Sequence, residues 1–452
     1  GTFALGGSSF GQVLNSLGEK TPDATPEVVV KAFNAIQQLI QEDLILAGHD
    51  VASGGLITTL LEMAFPNKNG GADIDLTGFN ETDIVKILFA ENPAVVLQVE
   101  SMEKVSEVLG QHQVDFTSLG QTTDARNIKL SKDEWQLELS IDDMRDIWFK
   151  TSHLLDREQT KPELADQRFA NFKEQPLGYR FPKNYTGRFT DYGIDSKRRS
   201  ATGIKAAIIR EKGVNGDREM AYALYLAGFD VKDVHMTDLV SGREDLSDLH
   251  MIVFVGGFSN SDVLGSAKGW AGSFIYNEKA KTALDNFYKR EDTLSLGVCN
   301  GCQVMMELGL IYPELGGEHP RMHHNSSGKF ESAFVNVDVQ ESNSVMFGSL
   351  ADSRLGIWLA HGEGQFVLPG KPDDYNIPVK YSYEAFPGNP NGSSFATAAL
   401  ASKDGRHLAI MPHLERSIFP WNWAHNEGIK GNEVSPWIEP FVNARNWIKS
   451  HN

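Results

Sequence analysis

Cysteine is nearly absent from this chain: 452 residues hold two, Cys299 and Cys302, and both fall in one CxxC step. That count excludes a disulfide-stapled scaffold and leaves a redox pair or half a zinc site as the first readings of the step. A zinc site would need two more thiol or imidazole ligands, and a thioredoxin-like pair would follow the first strand of a small domain. Neither context surrounds this pair. No apolar run approaches the ~20 residues that cross a bilayer, so no membrane partner is expected. The opening stretch GTFALGGSSFGQ has neither an initiator Met nor a basic segment leading into an apolar one. No secretory signal is read there, the expected location is cytoplasmic, and the chain reads as a fragment or a processed product. Positive charge is also short: 42 Lys and Arg face 60 Asp and Glu, for a net charge of −18. This balance disfavours nucleic acid as a partner but not a small phosphorylated ligand, which a few glycine-loop amides can hold. Internal repeats and low-complexity tracts are lacking too.

What is present suits burial-driven folding, with 41% hydrophobic and 23% charged residues. At ~100–200 residues per domain, the length asks for two or three domains. Residues 1–150 read as an α/β unit. A helix near 25–43 opens at Pro26-Glu27, with Val30, Phe33, Ile36, Ile40 and Leu44 as its apolar stripe. A second helix is expected over 54–65, stopped by Pro66 and the turn at 67–71, followed by strands at 73–76 and 94–99. Residues 151–202 are polar, punctuated by Pro and Gly, and weakly periodic. They read as a connecting segment whose aromatics argue against a free tether. Residues 203–452 read as a further domain. Near-continuous apolar runs at 204–209, 251–255 and 293–298 fit parallel strands covered on both faces, with crossover helices at about 216–228 and 270–289. After 328 the pattern turns antiparallel, with Asp404-Gly405 as a hairpin turn. Ser435-Pro436 then opens a last helix with Trp437, Phe441, Ala444 and Ile448 on one face.

The chemistry-bearing stretch is Gly297-Val298-Cys299-Asn300-Gly301-Cys302-Gln303, between an apolar strand and the amphipathic run VMMELGL. A strand, a sharp turn and a helix with a cysteine at the tip make a nucleophile elbow, where small neighbours permit the tight backbone and the helix start favours a thiolate. Cys302 falls in the first helical turn and reads as a small buried apolar residue. A cysteine nucleophile needs a base and a group to orient it. His413 and Glu415, just past the strand HLAI, supply both: alternate positions on an extended segment face the same way. The amides of Gly257, in a Gly-Gly step after a strand, and of Asn300 can form an oxyanion hole. A Gly-Gly step alone says little.

Together these residues resemble the class I glutamine amidotransferases, with their G-x-C-x-G-x-Q and downstream H-x-E. GVCNGCQ, GGFSNSDVLG, REKGVNGDREMA, HGEG and NPNGS more closely resemble the glutaminase domain of the large formylglycinamide ribonucleotide amidotransferases, or phosphoribosylformylglycinamidine synthases. LGGSSFGQ and HDVASGGL extend the similarity into residues 1–150. Ala52 and Ser53 stand where that family often has Ser and Asp, and Leu414 where Pro is frequent.

The resemblance implies a flavodoxin-like α/β class I glutamine amidotransferase domain preceded by part of an aminoimidazole-ribonucleotide-synthetase-like α/β domain. It implies conversion of formylglycinamide ribonucleotide, glutamine and ATP to formylglycinamidine ribonucleotide, glutamate, ADP and phosphate, with ammonia passed internally. The implied partners are those three substrates and the upstream remainder of the same enzyme. By resemblance Asp50 would be a Mg²⁺ ligand, Gly54 and Gly55 would contact nucleotide, and His361 and Glu363 would border the glutamine pocket. Asp50 with its glycines also reads as a plain helix cap, and HGEG equally as a strand-end turn. Two rivals stand beside this reading: an amidotransferase serving another synthetase, and a non-catalytic interaction module.

Overall fold

In the computed structural model, which describes residues 2–451, the chain folds as two units, Gly1–Leu154 and Leu155–Asn452. In the first, a four-stranded sheet runs in the order Gly120–Thr123, Gly71–Asp75, Asn127–Lys132, Trp135–Ser140, beside an antiparallel pair, Ile45–Asp50 with Val95–Val99. Helix Pro26–Gln41 starts where Pro26 and Glu27 predict. Three of the five residues of its expected stripe, however, face outward: Val30, Phe33 and Ile40 are 57%, 60% and 53% exposed, while Ile36 is half-buried and Leu44, past the helix end, packs on the core. The buried residues are Ala35 and Leu39, and the small Ala35 lets the helix settle on Val105, Val108 and Leu109 of helix Met102–Gln111.

Helix Ile141–Gln159 carries the chain from one unit to the next, and helix Pro162–Asn171 follows. The polar stretch beyond it lies on the second unit through specific bonds. Arg180 and Arg354 exchange backbone hydrogen bonds of 2.9 and 2.8 Å, and the Tyr185 hydroxyl donates to the Val434 carbonyl at 2.6 Å.

The second unit is built on a nine-stranded sheet, which we label in chain order: β1 Lys205–Arg210, β2 Asp230–His235, β3 Met251–Phe254, β4 Leu294–Val298, β5 Glu331–Val339, β6 Arg354–His361, β7 Asn376–Tyr381, β8 Thr397–Ala401 and β9 His407–Ile410. Spatially they run β6-β5-β7-β8-β9-β4-β3-β1-β2. The pairs from β9 through β4, β3 and β1 to β2 are parallel, and the wing from β9 to β6 is antiparallel. Every residue of β3 and β4 is buried, as their continuous apolar runs require. β2 escapes sequence reading because it is an edge strand: DVKDVH leaves Lys232 and Asp233 exposed and has no apolar run.

The helix expected over 270–289 is two helices, Lys268–Ile275 and Glu278–Lys289. The break falls where the Asn277 side chain caps the second, accepting from the Ala280 amide at 3.0 Å. At the far end Ser435 caps a 3-10 turn, Pro436–Ile438, that runs into helix Glu439–His451, and Trp437, Phe441, Ala444 and Ile448 are buried as the spacing predicts. No helix among the described residues is long and apolar enough to cross a membrane.

The wing does not end in an open edge. β6 is last in the order, yet the His413 amide, just past β9, donates to the Trp358 carbonyl of β6 at 2.8 Å. The antiparallel strands therefore close on the end of β9.

Candidate active site

Between β4 and helix Asn300–Glu307, Cys299 takes φ 53 and ψ −108, a conformation that disfavours any L side chain. Glycines on either side make the turn possible. A Cβ on Gly301 would lie 1.9 Å from the Phe254 carbonyl oxygen, and one on Gly297 would lie 2.5 Å from that of Gly301. The Cys299 amide is tied to the Ile410 carbonyl of β9 at 2.9 Å, and its thiol donates to the Ala360 carbonyl of β6 at 3.6 Å. Cys302, fully buried one helical turn on, has its thiol pushed well above the ordinary range by burial and then by the neighbouring Cys299. Both cysteines are free.

His413 Nδ1 lies 2.6 Å from Glu415 Oε1, and both side chains are closed to solvent. The expected meeting of these residues occurs, but not by strand alternation: His413 precedes a 3-10 turn, Leu414–Arg416, that folds the carboxylate back onto the imidazole. Leu414 itself is buried in the core. Burial opposes a charge on His413. The Glu415 carboxylate, then the charge and hydrogen bond of Cys299, outweigh it and push the imidazole pKa up to about 10. Base and nucleophile face each other across Gly256, where a Cβ would lie 2.8 Å from His413 Cε1 and 3.3 Å from Cys299 Cβ.

The Gly256 carbonyl is turned away, accepting from the Asn215 and Gly216 amides at 3.0 and 3.1 Å. Among the described residues, the amides of Gly257 and Asn300 donate to no other group, which leaves both for an oxyanion. His361 is buried, with Nδ1 3.1 Å from Asn325 Oδ1 and Nε2 3.5 Å from Asn391 Nδ2. Burial, then the nearby His413, pulls its pKa down to about 3, so it is neutral. His361 is thus a buried strut at the end of β6. Glu363 does reach the elbow: its carbonyl accepts from Gln303 Nε2 at 2.8 Å, while its carboxylate accepts from the Ser266 amide. Sequence reasoning assigned no role to Asp262 or Asn391. Asp262 and Asn391 sit in GGFSNSDVLG and NPNGS, the stretches that carry the resemblance, and that was the available signal.

The first unit does not assemble the expected nucleotide and metal site from its own residues. The Asp50 side chain is 75% exposed beside His49. Among the described residues, no group of three or more His, Cys, Asp or Glu could hold a metal. The amides meant for phosphate are taken: Gly54 donates to Glu91 Oε1 at 2.9 Å and Gly55 to the Ala52 carbonyl at 3.0 Å. Left-handed backbone at Gly54 and Gly55, φ 89 and 72, together with the Leu88 carbonyl 2.6 Å from where a Gly55 Cβ would stand, accounts for both glycines. Asp50, Gly54 and Gly55 therefore do not by themselves fit Mg²⁺ or a phosphate.

Residues 203–448, over half of the chain, match the model of the CobB/CobQ-like glutamine amidotransferase domain. The chain belongs to that family. Residues 1–133 match a second model, the AIR synthase related protein, C-terminal domain, so the amidotransferase domain is preceded by an α/β domain of that kind. The probable phosphoribosylformylglycinamidine synthase, chloroplastic/mitochondrial, of Arabidopsis thaliana is 39% identical over 99% of this chain and 33% of its own length. The phosphoribosylformylglycinamidine synthases of Homo sapiens and Dictyostelium discoideum are 38% and 37% identical over 99% of this chain, covering 35% and 36% of theirs. The amidotransferase chain thus spans about a third of the length of these relatives.

Proposed function

We propose that this chain is the glutamine-hydrolysing part of a phosphoribosylformylglycinamidine synthase, with Cys299 as nucleophile, His413 as acid-base and Glu415 as its orienting partner. The observation that carries the reading is the buried His413–Glu415 pair facing a cysteine held in strained backbone at the start of a helix. In the proposed reaction His413 takes the Cys299 proton, and sulfur bonds to the side-chain carbonyl carbon of glutamine. The carbonyl oxygen gathers charge against the Gly257 and Asn300 amides. The imidazolium then protonates the leaving nitrogen, and ammonia departs as the tetrahedral centre collapses to a thioester. Water, deprotonated by His413, cleaves the thioester and releases glutamate with the thiol restored.

Ammonia, formylglycinamide ribonucleotide and ATP would meet in a synthetase site that the first unit only partly supplies. The remaining two-thirds of the relatives' length bears on this directly, as does the incomplete donor set around Asp50. The test is product formation. The isolated chain should release glutamate from glutamine but make no formylglycinamidine ribonucleotide from its precursor, ATP, Mg²⁺ and free ammonia. Adding the missing polypeptide should restore synthesis. Synthesis by the isolated chain would overturn this division of labour.

A further inference from the structure

Just past Gly257, Asn260, Ser261 and Asp262 take φ of 52, 57 and 48, three consecutive non-glycine residues in left-handed backbone. Such backbone is unfavourable for L residues and persists only where its surroundings hold it. The Asn260 amide donates to the Lys212 carbonyl at 2.7 Å, and at Asp262 the turn enters a closed ring of hydrogen bonds that begins and ends on the residue after the nucleophile. Asn300 Nδ2 donates to Asp262 Oδ1 at 3.3 Å and to Gln303 Oε1 at 2.9 Å. Gln303 Nε2 donates to the Glu363 carbonyl at 2.8 Å. The Glu363 carboxylate accepts from the Ser266 amide at 3.3 Å, and Ser266 Oγ donates back to Asp262 Oδ2 at 3.4 Å. Two further bonds pin the ring to the loop: the Ser259 amide to Asn300 Oδ1 at 3.1 Å, and the Ala267 amide to Asp262 Oδ1 at 3.2 Å. Asn300, Gln303 and Ser259 are buried, so water does not replace these partners readily.

Through the Ser259 amide, two residues past Gly257, the ring joins the loop bearing the Gly257 amide to the elbow bearing the Asn300 amide. We infer that Asp262 is a positioning residue that sets the spacing of the two oxyanion donors by holding the left-handed turn against Asn300. The inference rests on the proposed thioester chemistry at Cys299. Asp262 acts only through the two amides, so its loss should slow the step that builds charge on oxygen and spare chemistry at sulfur that builds none.

Asp262→Ala should lower kcat for glutamine hydrolysis by about 10²-fold, the usual cost of losing one oxyanion donor, with little change in KM. Alkylation of Cys299 by iodoacetamide, a displacement of iodide that needs no oxyanion hole, should change by less than about twofold. Asp262→Asn keeps an acceptor for Asn300 and the Ala267 amide and should recover about tenfold of the lost rate. Gln303→Ala opens the ring on its other side and should show the same split between hydrolysis and alkylation. Equal losses in hydrolysis and alkylation, full activity of Asp262→Ala, or no recovery in Asp262→Asn would each overturn the assignment. Cys299→Ser separates the two levels: if it still hydrolysed glutamine, the thioester reading itself would fail, whatever Asp262 did.

Discussion

Glu415 offers one carboxylate oxygen to His413 at 2.6 Å, and its other, Oε2, is buried with no hydrogen-bond partner among the described residues. Arg416 Nε lies 3.9 Å from the same oxygen that meets His413, so the imidazole is the nearer of the two cationic partners of this buried charge. The Glu415 carboxylate and Cys299 together raise the pKa of His413, so the pair stabilises the imidazolium that forms when His413 takes the Cys299 proton, where burial alone would favour a neutral ring.

Replacing the base should therefore cost more than replacing its partner. His413→Ala is expected to lower kcat for glutamine hydrolysis by about 10³–10⁴-fold, since it removes proton transfer in both directions. Glu415→Gln should cost about tenfold less, because the imidazole survives and only its tautomer and charge are released. Steady-state glutamate release checks both, and a fully active His413→Ala enzyme would remove His413 from the mechanism.

Cys299 and Cys302 should separate cleanly. Cys299→Ser is expected to abolish glutaminase turnover, whereas Cys302→Ser should keep most of it while losing about 1–3 kcal/mol of stability, the cost of burying an unpaired hydroxyl. A glutamine-like chloroketone followed by peptide mass mapping should find Cys299 modified and Cys302 untouched. Equal loss of activity in two folded serine variants would require a joint role for the pair.

The backbone of Cys299 also has a measurable cost. Cys299→Gly and Cys299→Ala both lack the thiol, but only glycine relieves the positive φ. The glycine variant should be the more stable by about 1 kcal/mol in urea denaturation. Identical midpoints would mean that the elbow is not strained.

Stability of the amidotransferase unit should peak near neutral pH, for two opposed reasons. The pKa of His413 is raised to about 10 from 6.5, so its contribution is complete below pH 6.5 and is lost as pH rises to about 10. The pKa of His361 is lowered to about 3 from 6.5, so its contribution is complete above pH 6.5 and is lost as pH falls toward about 3. Tryptophan fluorescence reads mainly this unit, which holds six of the eight tryptophans. His361→Gln should flatten the acid limb alone and Glu415→Gln the alkaline limb alone. Unchanged limbs in these variants would assign the pH dependence elsewhere.

How much of this was legible in the sequence follows the physics of each element. β3 and β4 announce themselves because both their faces are buried, and the elbow because its glycines flank a cysteine at a strand end. β2 is hidden by the charges an edge strand tolerates. Val30, Phe33 and Ile40 mislead because helical spacing reveals a face without saying whether this chain covers it. His413 and Glu415 were paired correctly for the wrong reason, since a two-residue spacing serves a strand and a tight turn alike. Asp262 bonds to Asn300 and Asn391 to Gly364, 38 and 27 positions away, and Gly54 loses its amide to Glu91, 37 positions away; no local pattern records such contacts.

The bond from the His413 amide to Trp358 gives the proposed general base a second occupation. β6 would otherwise present unpaired backbone groups at the end of the sheet, a template on which another chain could add a strand. Its flank is occupied at Arg354 by Arg180 and at Trp358 by His413. Any event that lifts the turn carrying His413 thus uncovers an adhesive strand at the moment it disables the site. The backbone of the proposed proton-transfer residue thus guards a sheet edge while its side chain serves the site, so one displacement would undo both.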